Sequence, residues 1–493
     1  MRRESIHAVL EQTMRSLTAG VASLLVLYAL PGPITAQQAE KPLVFRSVDV
    51  FDGSHLIRSA TVLVRDGMVR AVGQDIPIPS FAEVIDGKGK TLLPGLIDAH
   101  VHLGISQGEQ FLRDALNFGI TTELEMWGSD ASLALRNKIN ADVIRDLADL
   151  RTAGTGITVP RGHPTEMGGP PYPTLGPSDD VQAFVDARIA EGGDYIKIIY
   201  EHAFPTLTKQ QLEDVVAAAH RRNRLVVIHV TTQREARDAI AAGVDGLAHI
   251  FADSVPEPGF AKFAAEHHVF VTPTLSVIEA LTKTSSKPWW QDQPKVSPFI
   301  TPSMKRMLEM KFPPGFRADL NLANAVAAVS ALRRAGVSIL AGTDAPAPGL
   351  AHGLSLHHEL ELLVFSGLTP LEALAAATSE PARAFGFHDR GRIAVGIRAD
   401  LLLINGDPTV NITETRDIVG VWKLGVRYSR YSGERNEKHS PDSPTWNSTG
   451  HWSAPRIVSD MYSLVRGCSP ECALPCETLA RPGLEIVPQA HFR

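Results

Sequence analysis

Cysteine is nearly absent from this chain of 493 residues. The three that occur, Cys468, Cys472 and Cys476, are confined to its C-terminal segment. A main body without thiols suits an oxidising compartment, in which unpaired cysteines are a liability. An odd number of cysteines in a proline-containing tail favours one disulfide and one free thiol over a metal site. We therefore assign these cysteines no function.

The sequence also lacks an excess of positive charge and a long membrane-spanning segment. Its formal net charge of −6 gives no reason to expect nucleic acid or an anionic membrane as a partner. The apolar run at residues 17–30 is shorter than the roughly 20 residues that span a bilayer. Arg15 precedes this run and Ala36 follows it, the pattern of a secretory signal peptide over residues 1–36. We expect a secreted or periplasmic protein with no stable membrane span after cleavage; an uncleaved anchor is the alternative.

No internal repeat of the length found in solenoid proteins occurs in the chain. A composition of 44% hydrophobic and 21% charged residues is typical of a soluble globular enzyme. The length allows one large domain with a smaller module. Residues 436–493 are rich in polar residues and proline, which predicts a poorly ordered tail.

Short strand-like segments flank the centre of the chain. Residues 41–92 contain several such runs, separated by turn dipeptides such as Asp66-Gly67. Residues 389–435 return to the same pattern. Together the two segments predict a small β-sandwich domain.

Between these segments, residues 93–388 alternate apolar runs with amphipathic helical stretches, as β/α units around a parallel sheet do. Eight runs over this length are what a closed (β/α)8, or TIM, barrel needs. The predicted fold class is therefore α/β, a TIM barrel with a small β-sandwich domain built from both flanks. The predicted strands are 96–102, 121–126, 156–159, 195–200, 225–230, 246–250, 269–275 and 337–341. The predicted helices are 109–118, 131–150, 178–191, 208–223, 233–242, 354–366 and 370–385.

The stretch LLPGLIDAHVHL at residues 92–103 carries the first sign of chemistry. Pro94-Gly95 reads as a loop that enters a buried strand. Residues two apart on a strand share a face, so His100 and His102 point the same way. Two imidazoles on one face can bind a single metal ion. The alternative is that one histidine is buried and hydrogen-bonded while the other is incidental.

Four more polar residues stand in otherwise apolar strands or directly after them. They are Lys197 in DYIKII, His229 in LVVIHV, His249 in GLAHI and Asp344 in ILAGTD. The chemistry of a barrel lies at the C-terminal ends of its strands, so we expect these residues to face one mouth with the histidine pair. Six polar groups without partners there would cost several kcal/mol in desolvation, so a metal is their expected partner.

Lys197 is the most informative member of this set. An ammonium group cannot bind a cation, but burial lowers the pKa of lysine towards the neutral amine. A neutral amine can take up CO2 to form a carbamate, which bridges two cations as a carboxylate does. The alternative is an ion pair between Lys197 and a local acid, Asp194 or Glu201.

Five further residues follow the predicted strands in loops where functional side chains concentrate. They are Arg161, His163, Tyr200, His202 and His352. We predict that they contact substrate, and an ordinary loop role is the alternative for each. The guanidinium of Arg161 could hold a substrate carboxylate through two hydrogen bonds.

These motifs resemble those of the amidohydrolase superfamily, specifically its binuclear-metal subtype with a carboxylated lysine. The resemblance covers roughly residues 43–426. It rests on PGLIDAHVH, YIKI, VIHV, GLAHI and AGTDAP, and on the stretch from HGLSLHHELELLVFSGLTPLEALAAAT to RADLLLINGDP. The branch that it resembles most contains secreted or periplasmic prolidase-like dipeptidases, N-acyl amino acid hydrolases and ochratoxin-type amidases. The chain departs from much of that branch at residues 200–204, where YEHAF replaces a glycine-rich turn.

The resemblance implies two divalent metal ions. One would be bound by His100, His102 and Asp344, and the second by His229 and His249. The strand lysine would bridge them as a CO2-derived carbamate. The ligand set suits Zn, with Mn or Co as alternatives.

The implied reaction is hydrolysis of an amide bond in a small-molecule substrate, a dipeptide or an N-acyl amino acid. A metal-bridging hydroxide would attack the carbonyl, and Asp344 would pass the proton to the leaving amine. Other candidate functions are hydrolysis of a cyclic amide, lactone or ester, a mononuclear deaminase, and a non-catalytic binding protein on a barrel scaffold. A homo-oligomer is compatible with the sequence.

Overall fold

The computed structural model describes residues 41–104, 107–141, 143–167, 171–282 and 288–433. The predicted signal peptide at 1–36, the predicted tail at 436–493 and the three cysteines lie outside the described residues. Within these ranges, no helix combines the length and the hydropathy that a membrane crossing requires.

Eight strands from both ends of the described chain form a small β domain. They are β1 Leu43–Phe51, β2 Leu56–Arg65, β3 Met68–Gly73, β4 Glu83–Asp86, β5 Lys90–Pro94, β13 Leu401–Asn405, β14 Ile418–Lys423 and β15 Val426–Tyr428. Their order is β15-β14-β13-β5-β1-β2-β3, and β4 also pairs with β1. The sequence predicts a sandwich of two sheets, but in the structure the hydrogen bonds join these strands into one branched sheet. The branch arises because β1 pairs with β4 along its first half and with β5 along its second half.

The β domain has its own hydrophobic core. The rings of Phe45 and Trp422, from its two chain segments, meet edge to face with centroids 4.9 Å apart. The β2–β3 hairpin turns at Asp66 and Gly67, whose φ angles of 52° and 71° suit the type I′ turn that this dipeptide favours.

Two parallel sheets lie between the two segments of the β domain in sequence. The first contains β6 Leu96–Val101, β7 Ile120–Glu125 and β8 Asp149–Thr152. The second contains β9 Ile196–Ile199, β10 Val226–His229, β11 Gly246–Ala248 and β12 Phe270–Thr272.

Single parallel bridges extend from the outer strands of both sheets. Ile157, which follows β8, bridges to β9. Ile339 bridges to β12, and Ala345, further along the same segment, bridges to β6. Because all of these pairings are parallel, the C-terminal ends of the strands lie at a common edge, where ligands bind in parallel α/β sheets.

The described helices follow and separate these strands. They are α1 Gly108–Asn117, α2 Asp130–Ala141, α3 Val181–Ala190, α4 Lys209–Arg221, α5 Gln233–Ala241, α6 Phe260–Glu266, α7 Leu275–Thr282, α8 Pro302–Glu309, α9 Leu322–Arg334, α10 Leu354–Phe365, α11 Pro370–Ala376 and α12 Ser379–Ala384. Capping boxes formed by Thr–Gln or Thr–Glu pairs begin α4, α5 and α11.

Four sequence-based element predictions are wrong in their boundaries. The helix predicted over 131–150 ends at Ala141, and β8 begins at Asp149, because this residue is held by basic side chains of the β domain. The strand predicted over 156–159 is reduced to the Ile157 bridge, and that over 337–341 to the Ile339 bridge. The helix predicted over 370–385 breaks near Thr378, since Pro381 has no backbone N–H to continue it.

Candidate metal centre

The common strand edge brings together all six residues of the predicted metal site. His100 lies in β6 and His102 directly after it, while Lys197 lies in β9 and His229 ends β10. The remaining two, His249 and Asp344, follow β11 and the Ile339 bridge. The ring centroid of His249 is 4.6 Å from that of His100 and 4.7 Å from that of His229.

His100, His102 and Asp344 form a tight triad. Oδ1 of Asp344 lies 3.3 Å from Nε2 of His100 and 3.0 Å from Nε2 of His102. The His100 side chain is fully buried, whereas that of His102 is 35% exposed. The triad is therefore open to solvent on the His102 side, where a substrate can approach.

The backbone is strained at two of the six residues. His249 has φ 71° and Asp344 has φ 66°, in the left-handed region that residues other than glycine rarely adopt. Such conformations cost about 1–3 kcal/mol each and persist where the surrounding structure fixes them. At Asp344, a backbone hydrogen bond of 2.8 Å from its N–H to the carbonyl of His100 does so. The strain directs both side chains into the cluster.

The electrostatics of the cluster favour metal binding. Burial lowers the pKa of His100 to about 3 and also lowers the pKa values of His229 and His249. These imidazoles are therefore neutral, the form that binds a metal. Although burial alone would raise the pKa of Asp344, the adjacent imidazoles of His100 and His102 hold it well below the usual value.

Lys197 is 2% exposed, and burial lowers its pKa to about 7. The two acids considered as alternative partners for Lys197 are paired elsewhere. Asp194 lies 2.5 Å from Arg136, and Glu201 lies 2.6 Å from Arg317. A lysine in this state has a substantial neutral fraction at physiological pH, and only the neutral amine can take up CO2.

The donor atoms fit a divalent metal ion. Both ring nitrogens of His100 are buried without a hydrogen-bond partner among the described residues, an arrangement that is costly unless a ligand satisfies them. Ligand atoms at about 2.0–2.2 Å from a tetrahedral Zn ion lie about 3.3–3.6 Å from one another. The separation of 3.3 Å in the triad falls in this range, and that of 3.0 Å lies slightly below it.

A second layer of buried residues, absent from the sequence-based site, supports the cluster. Asp98 accepts hydrogen bonds from Oγ1 of Thr343 at 2.8 Å and from the N–H of His100 at 3.2 Å. The hydroxyl of Thr274 lies 2.7 Å from Nδ1 of His249, which leaves Nε2 of that ring for a metal. Asp98 is two residues before His100, so strand periodicity predicts that it points to the same face as the two histidines. Its pairing with Thr343 has no sequence signal.

Glu359 of α10 supports the same layer from behind. Its carboxylate accepts hydrogen bonds from the N–H groups of Leu275 and Ser276 at 2.9 and 2.7 Å. The hydroxyl of Ser276 in turn donates to the carbonyl of Thr343 at 3.3 Å. Glu359 thus fixes the start of α7 beside the residues that precede Asp344.

Four of the predicted substrate contacts lie in loops near the cluster. The ring of His163 has its centroid 5.4 Å from that of His229. Arg161 is exposed, with φ 63°. The hydroxyl of Tyr200 donates to Asp238 at 3.4 Å, and Nδ1 of His202 lies 3.2 Å from a Glu235 carboxylate oxygen. Among these four side chains, only the ring of His163 is therefore brought against the ring of a predicted metal ligand.

His352 lies behind the site instead of facing substrate. Its side chain is 1% exposed, Nδ1 is 2.9 Å from Glu123, and Nε2 donates to the carbonyl of His102 at 3.2 Å. Burial opposes protonation, but the Glu123 carboxylate raises the pKa of His352. The ring stacks on Phe111 with centroids 4.3 Å apart. The predicted role in substrate contact does not fit these contacts, because both ring nitrogens are already engaged.

Glu201 and Arg317 lie at the candidate site but are absent from the sequence-based set of site residues. Oε2 of Glu201 lies 3.3 Å from Nε2 of His229, and His163, Glu201 and His229 form a second group of possible metal ligands. Arg317 comes from a segment without a motif, so no sequence signal identified this pair.

Comparisons with known proteins place the chain in a family. Residues 91–428 match the model of the amidohydrolase family. Ochratoxinase from Aspergillus niger is 25% identical over 462 residues, which cover 80% of this chain and 90% of that protein. Imidazolonepropionase from Idiomarina loihiensis is 26% identical over 418 residues, which cover 77% of this chain and 95% of that protein.

Solved structures share the fold. A Xaa-Pro dipeptidase with methionine bound in its active site aligns with a TM-score of 0.65 at 22% identity, over 79% of this chain and 100% of the other. The A. niger ochratoxinase structure aligns with a TM-score of 0.62 at 21% identity, over 79% and 96%. The predicted superfamily is confirmed, and so is the α/β class of the fold. The chain belongs to the amidohydrolase family and is a hydrolase that acts on carbon–nitrogen bonds.

Proposed function

We propose that the chain hydrolyses the amide bond of a dipeptide or an N-acyl amino acid at a site with two divalent metal ions. The observation that carries the proposal is the convergence of four histidines, a lysine and an aspartate at one edge of the parallel sheets. The triad separations of 3.0 and 3.3 Å and the buried, unpartnered nitrogens of His100 support a metal there.

We also propose that the two parallel sheets are parts of one closed (β/α)8 barrel. The bridges at Ile157, Ile339 and Ala345 support closure, since they join β8 to β9, β12 to the Ile339 segment, and that segment to β6. Closure would account for the convergence of residues from five separate segments at one mouth.

In this proposal, His100, His102 and Asp344 hold one ion, and His229 and His249 hold the other. The neutral amine of Lys197 would add CO2 and release a proton, and the resulting carbamate would be a further anionic ligand for the ions. Two such ions, most simply Zn, would polarise the substrate carbonyl and lower the pKa of water to near neutrality.

Asp344 is the residue that we propose moves the proton. Its Oδ1 contacts both histidines of the triad, which leaves Oδ2 to receive the proton from water and return it to the leaving nitrogen. Its side chain is 19% exposed, which is enough for contact with a bound substrate. The low pKa of Asp344 means that it enters the reaction ionised.

The named relatives support an amide substrate. One is called ochratoxinase, and one solved neighbour is a Xaa-Pro dipeptidase. The similarity to imidazolonepropionase favours a cyclic amide as the second candidate substrate. The apolar run and its flanks at residues 1–36 support export, which N-terminal sequencing of the mature protein would test. A homo-oligomer is a further proposal, testable by light scattering.

The first experiment is elemental analysis of protein purified without chelator, followed by panels of dipeptides, N-acyl amino acids and cyclic amides. We expect about two equivalents of metal per chain and turnover of linear amides. One equivalent would favour the mononuclear deaminase alternative. No metal after reconstitution with Zn, Mn or Co and bicarbonate, together with no turnover, would leave the binding-protein alternative.

A further inference from the structure

Glu201 occupies a position beside His229 that the proposed two-metal site does not use. Its side chain is only 3% exposed, and its Oε2 lies 3.3 Å from Nε2 of His229. The ring of His163 lies on the same side, with its centroid 5.4 Å from that of His229. One ligand atom from each of these three residues lies within 4.8 Å of the other two.

Glu201 Oε2 and His229 Nε2 form a long hydrogen bond, and their distance also fits two ligands of one metal ion. A charge-assisted hydrogen bond between nitrogen and a carboxylate oxygen is about 2.7–2.9 Å long. Two ligand atoms on a tetrahedral Zn ion lie about 3.3–3.6 Å apart. The observed 3.3 Å equals the separation of His100 and Asp344 in the first triad.

Glu201 and His163 each have a second polar atom that is held by a partner of the kind that orients metal ligands. Arg317 lies 2.6 Å from Oε1 of Glu201, which leaves Oε2 for an ion. Glu166 lies 2.5 Å from Nδ1 of His163, which leaves Nε2. Metal-bound histidines and carboxylates commonly make such a second hydrogen bond.

We propose that Glu201 and His163 join His229 as protein ligands of the second metal ion, so that this ion is retained when the lysine carbamate is absent. This inference rests on the two-metal site proposed above. It differs from that proposal because the second ion gains an anionic ligand that the chain itself encodes, the Glu201 carboxylate. The carbamate, which depends on CO2, is then not its only anionic ligand.

The test is zinc binding to the full chain, stripped of metal and titrated in competition with a chromophoric chelator. The variants are Glu201→Gln, His163→Ala and Lys197→Ala. Asp319→Asn is the matched control, because it removes an exposed carboxylate that lies 3.0 Å from the same Arg317. We expect two zinc ions in the unmodified protein, in Asp319→Asn and in Lys197→Ala.

In Glu201→Gln and His163→Ala we expect the weaker ion to bind at least about tenfold less tightly, with the tighter ion unchanged. Wild-type affinity for both ions in these two variants would overturn the proposal, as would loss of the second ion in Lys197→Ala. A rise in KM without a change in zinc affinity would also overturn it, and would make Glu201 a substrate contact.

Two features keep the test decisive. Glu201→Gln leaves Arg317 without its buried partner, so circular dichroism must verify that this variant folds. His163→Ala removes a proposed ligand without breaking that ion pair. Zinc affinity is measured without substrate, so a protein inactive on every amide of the panel would refute the proposed function while leaving this result interpretable.

Discussion

Lys197 is the residue on which a two-metal mechanism most depends. It is buried, its pKa is lowered to about 7, and the nearby acids Asp194 and Glu201 have other cationic partners. We expect Lys197→Ala to reduce kcat for the best amide substrate by roughly 10²–10³-fold, the range for loss of one group that stabilises a transition state. Addition of a short-chain carboxylic acid should restore part of the rate, because it can occupy the position of the carbamate. A variant with an unimpaired rate would exclude the bridging role.

Substitution of His352 is expected to change the stability of the protein and not its turnover of substrate. His352→Ala would leave the fully buried Glu123 carboxylate without its cationic partner. We expect the free energy of unfolding to fall by about 3–5 kcal/mol, as for other broken buried ion pairs. Chemical denaturation measures this change. If His352 contacted substrate, KM would rise with stability unchanged.

The paired variant Glu123→Gln with His352→Gln is the control for this prediction. Two amides can hydrogen-bond to one another without burying a charge, so most of the lost stability should return. Failure to recover would mean that the stacking of His352 on Phe111, not the ion pair, stabilises this region.

The sequence predicts individual residues well where a local pattern fixes their direction. His100 and His102 are two apart on a strand, and the buried lysine interrupts an apolar one, so their common edge follows from strand periodicity. Glu201 and Arg317 are 116 positions apart in the chain. Their contact depends on how a long segment without a motif folds back over the site, and no local pattern encodes it.

At the scale of elements, the junction of β12 with α7 connects two parts of the metal centre. The hydroxyl of Thr274 contacts His249, and the next two N–H groups donate to Glu359 of α10. Because the hydroxyl of Ser276 also donates to the carbonyl beside Asp344, one helix start positions ligands from two segments.

Glu359 should give this junction a pH-dependent stability. Burial raises its pKa to about 7, despite the hydrogen bonds that it accepts from Ser276 and Leu275. A folded-state pKa above the unfolded value contributes stability that is complete below about pH 4.5 and is lost as the pH rises through about 7. We expect Glu359→Gln to match the unmodified protein near pH 4.5 and to be relatively more stable by up to about 3 kcal/mol at pH 8.

Denaturation at several pH values measures this difference, and Glu361→Gln on the same helix is the matched control. Hydrogen bonding to His358 lowers the pKa of Glu361 to about 2, so Glu361 itself stays ionised from pH 4.5 to 8. Its variant changes the slope there only through His358, whose pKa Glu361 helps to raise. Equal slopes for the two variants between pH 4.5 and 8 would contradict the assignment to Glu359.

Elements are predicted less well than the residues that they carry. The spacing of apolar residues over 131–150 fits a helix, yet Asp149 starts a strand because its carboxylate binds Lys423, Arg390 and Arg398. A contact with the far end of the chain overrides the local pattern. Periodicity cannot anticipate such a contact, since short apolar runs fit either structure.

At the scale of the whole molecule, Asp149 joins the parallel sheets to the β domain. Lys423 lies 2.6 Å from its carboxylate and Arg398 lies 2.7 Å from it. Although burial opposes ionisation, these cations hold the pKa of Asp149 below its usual value. We expect Asp149→Asn to lower the free energy of unfolding by about 3–5 kcal/mol at neutral pH, because buried cations lose their counter-ion.

The pH dependence of this loss has a defined sign. A depressed carboxylate pKa contributes stability that is present above the unfolded value of about 3.9 and is lost as the pH falls further. The difference between Asp149→Asn and the unmodified protein should be constant from pH 5 to 8 and shrink below about pH 4. Asp389→Asn is the control: it pairs with Arg390 and Arg398 but is 52% exposed, so its loss should stay below about 1 kcal/mol.

The position of β5 in the middle of the β sheet has a consequence for the synthesis of the protein on the ribosome. β5 pairs with β1 on one side and with β13 on the other, and β13 begins only at Leu401. At about 5–20 residues per second, a ribosome needs roughly 15–60 s to make the chain between them. During that time the nascent chain has an unpaired strand edge, which other chains can bind. Only a chain translated to its final strands can close this sheet, so the architecture itself distinguishes finished molecules from truncated ones.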